Sequence, residues 1–459
     1  MNRLALHLND AGITLLDERS ILYREPGFAL LGDHDLATGN AAFASARINP
    51  RRIQNRYWSE LSATPLVDQR FGHLTTADLA IRQLEQLWEA AGTPGAQVVV
   101  AVPPYLDPAR LGLFLGIAAE IDMPVAALVD AAVAATRREY RNAVPVHIDM
   151  GLHATTLTRL SQAGQAQFER SEVLNEFGIY ALYDAWLTAI AEAFVQQSRF
   201  DPLHTAATEQ ILLDRLAGWL ALASRDPVVA MELEYAGIPH RAEIESLALI
   251  AAVAPFYQQI SSRLRALYRA GELPAIQVSD RIARLPGLAD MLKARIGGEV
   301  YALEPGATAR GALARCPDQT AAGGSVSLLR QLPWDQSPFV IERPEVHHAD
   351  GDVPTHVLFG SQAYAIGETP LVLGSQAGDA ERSIPLAADM PGMSRRHCSL
   401  ARIDGRCVVE DHSRYGTFLN GHRINGSTVL QVGDTIRIGS PGFEFQLITT
   451  DEKHGSTTA

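Results

Sequence analysis

The chain has 459 residues, 47% of them hydrophobic, three cysteines and a formal net charge of −13. That length exceeds one ordinary core and fits two or three domains, while the acidic balance argues against a nucleic-acid backbone or an anionic membrane surface as the main partner. Cys316, Cys398 and Cys407 lack metal-ligand spacing and are odd in number, no apolar run reaches spanning length, and MNRLALHLNDAG meets polar residues too early for a signal peptide; the expectation is a reducing, cytoplasmic location with neither disulfides nor a metal site.

From Met1 to about Ala314 strand-like and helix-like patterns alternate, which predicts an α/β organisation. VVVAVPPYL reads as a buried strand followed by a helix from Asp107 to about Ala119, and PVAALVD as a second strand leading to a helix through Arg137. VPVHIDMGLHATTLTRL then supplies a hairpin-like pair. Apolar residues at three- and four-residue spacing from Phe177 to about Ala223 predict a helical subdomain whose stripes are core. AMELEYAG follows as a strand before a long helix from about His240 to Ala270, then a strand at Ile276 and Val278 and a helix from about Leu285 to Ile296.

Between Cys316 and Thr355 the composition turns to Gly, Ser, Pro, Asp and His, so residues 315–355 are expected to be a linker. Within it SVSLLRQLPW is apolar enough to form a strand or docking segment, and His347-His348 read as solvated linker histidines rather than metal ligands. Residues 356–448 return to short β-branched and aromatic runs separated by Ser, Arg, Asn and Gly turns, the pattern of a small all-β sandwich with its loops gathered at one end. Residues 449–459 read as a disordered tail.

In that last region GMSRRHCSL, VVEDHSRYGTFLNG and LQVGDTIRIG occur in an order and spacing that resembles a forkhead-associated (FHA) domain, a phosphothreonine-binding module. The resemblance implies that Ser394, Arg395, Arg414 and Tyr415 contact a phosphopeptide, and that Gly374, His397, Gly416, Thr417 and Asn420 hold the loops. A hydroxyl with several guanidinium groups suits a phosphate dianion. Two positions depart from the family: its leading Gly-Arg, whose Arg grips the phosphate, is Gly374-Ser375, and its Asn before Gly-Thr is Tyr415. Arg395, Arg414 or Arg382 are the candidates to supply the missing charge; the competing reading is an FHA fold that binds protein surfaces without phosphate.

VVVAVPPYLDPARLGLFLGIAAEIDMPVAALVDAAVAAT, HRAEIESLALIAAVAPFYQQISSRL and EPGATARGALA, taken in order, resemble the heat shock protein 70 family of chaperone ATPases within the actin-like superfamily, over nearly all of residues 1–314. The implied fold is two-lobed and actin-like, closing on a cleft that in relatives holds ATP and magnesium. Such a cleft needs glycine-rich phosphate hairpins and carboxylates around the metal, and the corresponding segments are altered. The first hairpin reads His7-Leu8-Asn9-Asp10-Ala11, with Asp10 out of register; the second reads Asp149-Met150-Gly151-Leu152-His153-Ala154; the adenosine segment reads Val278-Ser279-Asp280-Arg281. Asp10, Asp149 and Gly151 are the vestigial nucleotide-binding candidates.

These readings combine into a pseudo-ATPase joined to an FHA domain. The expected function is a cytoplasmic adaptor for a threonine-phosphorylated partner in a Ser/Thr kinase pathway, with no catalytic residues and no required cofactor. The alternative is a nucleotide-gated ATPase switch that still binds ATP and magnesium weakly, and a third reading makes the large domain a filament-forming subunit. GxSxG, HExxH, P-loop and CxxC patterns do not occur.

Overall fold

The computed structural model describes residues 3–33, 35–93, 95–269, 271–317, 326–341, 353–359, 362–376, 380–386, 392–424, 426–439 and 442–449. The chain divides into two compact units, Met1–Leu264 with Pro274–Ile341, and Arg265–Leu273 with Glu342–Ala459. The first is mixed α/β and the second is built on β-strands.

Two six-stranded sheets form the large unit. In the first, β1 (Arg3–His7), β2 (Ile13–Leu16) and β3 (Ile21–Glu25) make an antiparallel meander, and β4 (Gln97–Val102) and β5 (Val125–Asp130) add parallel strands on the other side of β1. The second repeats this winding: β6 (Val144–Met150), β7 (Ala154–Ser161) and β8 (Ala166–Asn175) form the meander, with β9 (Pro274–Val278) and β10 (Glu299–Ala302) parallel beyond β6. Continuous apolar runs such as QVVVAV occupy the central parallel positions, where both faces of a strand are covered.

Helices between the strands start and stop where local chemistry dictates. In α1 (Thr76–Ala91) Thr75 and Asp78 form a capping box and Gly92 ends the helix at φ 56°. In α2 (Pro108–Glu120) the Asp107 side chain accepts the Arg110 amide and Pro108 stands in the first turn. Two small-residue helices, α3 (Ala131–Ala135) and α4 (Ala307–Arg315), share one apolar cluster with Ala5, Val99, Leu160 and Ala166, residues drawn from both sheets. They approach so closely that a Cβ on Gly311 would lie 1.9 Å from the Ala134 carbonyl oxygen. The Arg315 guanidinium caps the end of α3 through the carbonyls of Val133, Ala134 and Thr136.

Two helices are shorter than their patterns suggest. The helix after β5 stops at Ala135, where Thr136 turns extended and its hydroxyl donates to the Ala132 carbonyl. Residues from His240 are strand, not helix: Ile238–Glu245 pairs antiparallel with Val228–Tyr235, and the helix begins at Ser246. Ala236 and Gly237, at φ 54° and 76°, make the connecting turn, and the alternation that buries Ala242 and Ile244 suits a hairpin.

Part of the stretch expected to be a linker is sheet. β11 (Leu328–Leu329) pairs parallel with β5 at the edge of the first sheet, and β12 (Gln331–Leu332) pairs antiparallel with β8 at the edge of the second. Leu332 is buried with Ala166 and Leu160, which explains why this apolar segment docks. His347-His348 and the tail 450–459 lie outside the described residues.

In the second unit a six-stranded sheet runs Gln362–Ala365, His356–Phe359, Phe443–Ile448, Thr435–Ile438, Thr417–Leu419, His422–Arg423. A five-stranded sheet runs Arg382–Pro385, Leu371–Gly374, Cys398–Ile403, Arg406–Asp411, Ser427–Val429. Leu373, Leu400 and Val409 from one sheet and Val357, Ile436 and Phe445 from the other share one core, as in a sandwich. The cysteines Cys316, Cys398 and Cys407 are free and buried.

Candidate functional sites

In the all-β unit three loops are tied together by polar groups named from the sequence. His397 is fully buried; its Nδ1 accepts the Ser394 amide at 3.1 Å, which leaves Nε2 to donate to the Gly416 carbonyl, also at 3.1 Å. Burial pulls the pKa of this imidazole below its usual value, so it bridges the two loops as a neutral ring. Ser394 Oγ accepts the Arg414 amide at 3.3 Å. The Gly416 amide donates to Ser413 Oγ, and Asp411 Oδ1 accepts both the Ser413 amide and the Thr417 hydroxyl. Burial opposes the charge on Asp411, yet these donors outweigh it and hold the carboxyl below its ordinary pKa.

Backbone geometry fixes the glycines of this end. A Cβ on Gly374 would stand 2.2 Å from the Arg395 carbonyl oxygen, so the strand end and the Ser394–His397 loop meet backbone to backbone; the Ser375 amide donates to the Ser394 carbonyl at 3.2 Å. Gly416 adopts φ 100°, and a Cβ there would lie 2.5 Å from Arg423 Nε. Asn420, at φ 50°, opens an Asn-Gly turn, and its side chain donates to Asp434 and accepts the Thr435 amide.

The loops therefore bring Ser394, Arg395, Arg414 and Tyr415 to one end. Arg395, Arg396 and Arg414 are exposed and carry no ion pair to another described residue. Tyr415 is 61% exposed, with the Arg414 guanidinium 5.9 Å from its ring centre. Arg382 stands elsewhere: it pairs with Leu371 at the opposite end of the strand from Gly374, and its guanidinium donates to the Thr369 and Ala365 carbonyls. Arg423 was not singled out from the sequence; its spacing after the Asn-Gly turn was the available signal, and the fold sets it against Gly416.

In the large unit Asp10, Asp149 and Gly151 come together, although 139 residues separate the first two in the chain. Asp10 Oδ1 accepts the Leu152 amide at 2.7 Å, and a Cβ on Gly151 would lie 2.4 Å from that same oxygen. Asn9 Nδ2 donates to Asp149 Oδ2 at 2.7 Å and to the Met150 carbonyl at 3.2 Å, while His7 Nε2 stands 3.4 Å from Asp149 Oδ2. From the third segment, the Ser279 amide donates to the Ile148 carbonyl and Arg281 Nη2 to the Gly12 carbonyl, both at 3.2 Å. Arg24 reaches across to Asp280 at 2.8 Å.

These bonds join the first two segments directly and the third to the adjoining Gly12 and Ile148. Burial raises the Asp10 carboxyl to a pKa of about 6, against the pull of the Leu152 amide and Arg281. Burial acts likewise on Asp149, but His7, Arg281 and His147 overcome it and hold that carboxyl far below the usual range. The cavity left among His7, Ser279, Asp280, Arg281 and Thr308 measures about 10 Å³, roughly the space of one water molecule.

Residues 371–439 match the family model of the FHA domain, and this part of the chain is an FHA domain. No curated protein matches the chain.

Proposed function

We propose that the protein is a cytoplasmic adaptor that recognises a threonine-phosphorylated partner, the product of a Ser/Thr kinase, through its FHA domain. FHA domains bind threonine-phosphorylated proteins, and the observation that carries the reading here is the Ser394 hydroxyl held against the Arg414 amide beside exposed arginines that carry no ion pair to another described residue. Ser394 Oγ accepts from protein and keeps its own proton for a phosphate oxygen. Charge-assisted hydrogen bonds from Arg395 and Arg414 would contribute roughly 1.5–3 kcal/mol each, taking the part of the arginine that Ser375 replaces. Calorimetric titration of the full chain with a degenerate phosphothreonine peptide library and its unphosphorylated counterpart tests this. Equal affinity for the two would leave only phosphate-independent binding.

We further propose that the large unit is a two-lobed, actin-like pseudo-ATPase. Its support is the repeated winding of the two sheets, a three-stranded meander followed by two parallel strands, with α3 and α4 sharing one apolar cluster with residues of both sheets. Loss of nucleotide chemistry is supported by the cleft segments themselves. Asp10 takes the backbone amide that a phosphate would need, and Arg281 spans to Gly12. In this reading the unit serves as a scaffold, with neither ATP nor magnesium required.

A further inference from the structure

A second cavity in the large unit, of about 310 Å³, opens at the C-terminal end of β10 and the start of α4, the edge of a parallel sheet where ligands commonly bind. One wall is aromatic: Tyr301 lies 4.9 Å from Tyr140 and 5.4 Å from Phe339 between ring centres, and the third pair is 6.5 Å apart. Phe339 is 42% exposed at the rim. The volume sits at the lower bound of small-molecule sites, and such a wall offers faces and edges to one planar ring.

The polar groups choose the charge of that ring. Arg137 is already neutralised by Asp335 at 2.5 Å and Glu304 at 3.6 Å. Arg138 is different: its Nε and Nη2 both donate to Gln336 Oε1, at 2.9 and 2.6 Å, which orients the fork and leaves Nη1 without a described partner. Tyr301 Oη itself is buried away from the open space, so Tyr301 offers the cavity its ring and not its hydroxyl. At α4, Gly306 precedes the first helical residue and provides no side-chain cap.

We propose that this cavity binds a small aromatic anion, a planar ring carrying one carboxylate or phosphate, with the ring against Tyr140, Tyr301 and Phe339 and the anion on Arg138. The site also senses the strand leading out of the unit. The amides of Asp335 and Gln336 donate to the Arg137 carbonyl and that of Phe339 to the Glu139 carbonyl, so Gln336 and Phe339 line the cavity only while residues 335–341 are docked. Ligand binding therefore holds this segment in place.

The test titrates the full chain with 4-hydroxybenzoate and phenyl phosphate, whose comparison separates the carboxylate from the phosphate. Cyclohexanecarboxylate, inorganic phosphate and benzylamine are the controls. At least one aromatic anion should bind, with cyclohexanecarboxylate and inorganic phosphate weaker by about tenfold or more. Arg138→Gln should weaken binding by a similar factor while Tyr301→Phe, which keeps the ring, should leave it little changed, with circular dichroism unchanged, and the bound anion should slow amide exchange across residues 335–341. Should Arg138→Gln disturb the fold, the exchange measurement on the unaltered chain decides. Failure of both aromatic anions to bind at millimolar concentration, tighter binding of benzylamine, or exchange at 335–341 indifferent to a bound anion would overturn the proposal.

Discussion

Asp10 Oδ1 accepts the Leu152 amide at 2.7 Å, and through that one bond a carboxylate from the first hairpin occupies the backbone of the second. It is the Leu152 amide, not its side chain, that makes this contact, and Asp10 is the side chain that reaches it.

Asp10 gives a pH signature. Its pKa in the fold, about 6, stands above the ordinary 3.8, so the folded state holds its proton longer than the unfolded state and stability falls as pH rises from about 4 to about 6. Asp10→Asn should abolish that component. Relative to the unaltered chain, the variant should gain stability between pH 4 and pH 7 by on the order of 3 kcal/mol at most. All five tryptophans lie within residues 58–334, so tryptophan-monitored urea unfolding at the two pH values reports on the large unit; a gap independent of pH would contradict the assignment.

ATP with magnesium should leave the thermal unfolding of the chain unmoved, and phosphate release should stay at background with and without Asp149→Ala. A tight site would raise stability by about 2.7 kcal/mol at a hundredfold excess over Kd, an easily seen shift. Turnover lost on Asp149→Ala would establish an active ATPase, while a shift without turnover would favour the nucleotide-gated switch.

Arg414→Ala should weaken phosphothreonine-peptide binding by about 1.5–3 kcal/mol, roughly ten- to a hundredfold in affinity. Ser375→Arg should strengthen it, because the Ser375 amide already bonds the Ser394 carbonyl and places a new guanidinium beside the loop. Arg382→Ala should have little effect on affinity, since that side chain is committed to the Thr369 and Ala365 carbonyls at the far end of its strand. Calorimetry on the three variants checks all of these.

His397→Ala removes both bridges between the recognition loops and should destabilise the FHA domain by about 2 kcal/mol or more, leaving the Ser394 amide and Gly416 carbonyl without partners. In the unaltered protein the imidazole's folded pKa lies below 6.5, so its contribution is fully present above pH 6.5 and declines as pH falls from there toward the folded value. Protection factors at residues 394–417, that is, exchange rates divided into the intrinsic rates at each pH, should therefore fall on mild acidification in the unaltered chain. The fall should be smaller in His397→Gln.

The sequence by itself determined the FHA domain and the alternation that makes the large unit α/β, because turn glycines, capping residues and strand runs are local. Gly374 and Gly416 were legible as glycines of a motif, as were Ser394 and His397. The short helix after β5 and the hairpin at His240 were not: Arg137 follows Asp335, distant in the chain, and residues 240–245 follow their pairing with the neighbouring residues 228–233 rather than the helical pattern that begins at Ser246. Nor was the role of SVSLLRQLPW resolved between strand and docking segment until β5 and β8 received its two halves.

Tertiary structure alone decided what surrounds Asp10 and Asp149 and which arginines are available. Read in their own segments, Asp10 and Asp149 are vestigial nucleotide-binding candidates, and Asn9 and Arg281 are departures from the pattern they resemble. Only the fold shows that Asn9 bonds Asp149, that Asp10 takes the Leu152 amide and that Arg281 reaches the Gly12 carbonyl, each across more than a hundred residues of chain. The same holds for Arg382 and Arg414: identical side chains, one on a strand and bound to carbonyls, the other exposed in a loop, distinguished by strand register and by nothing in the residues around them.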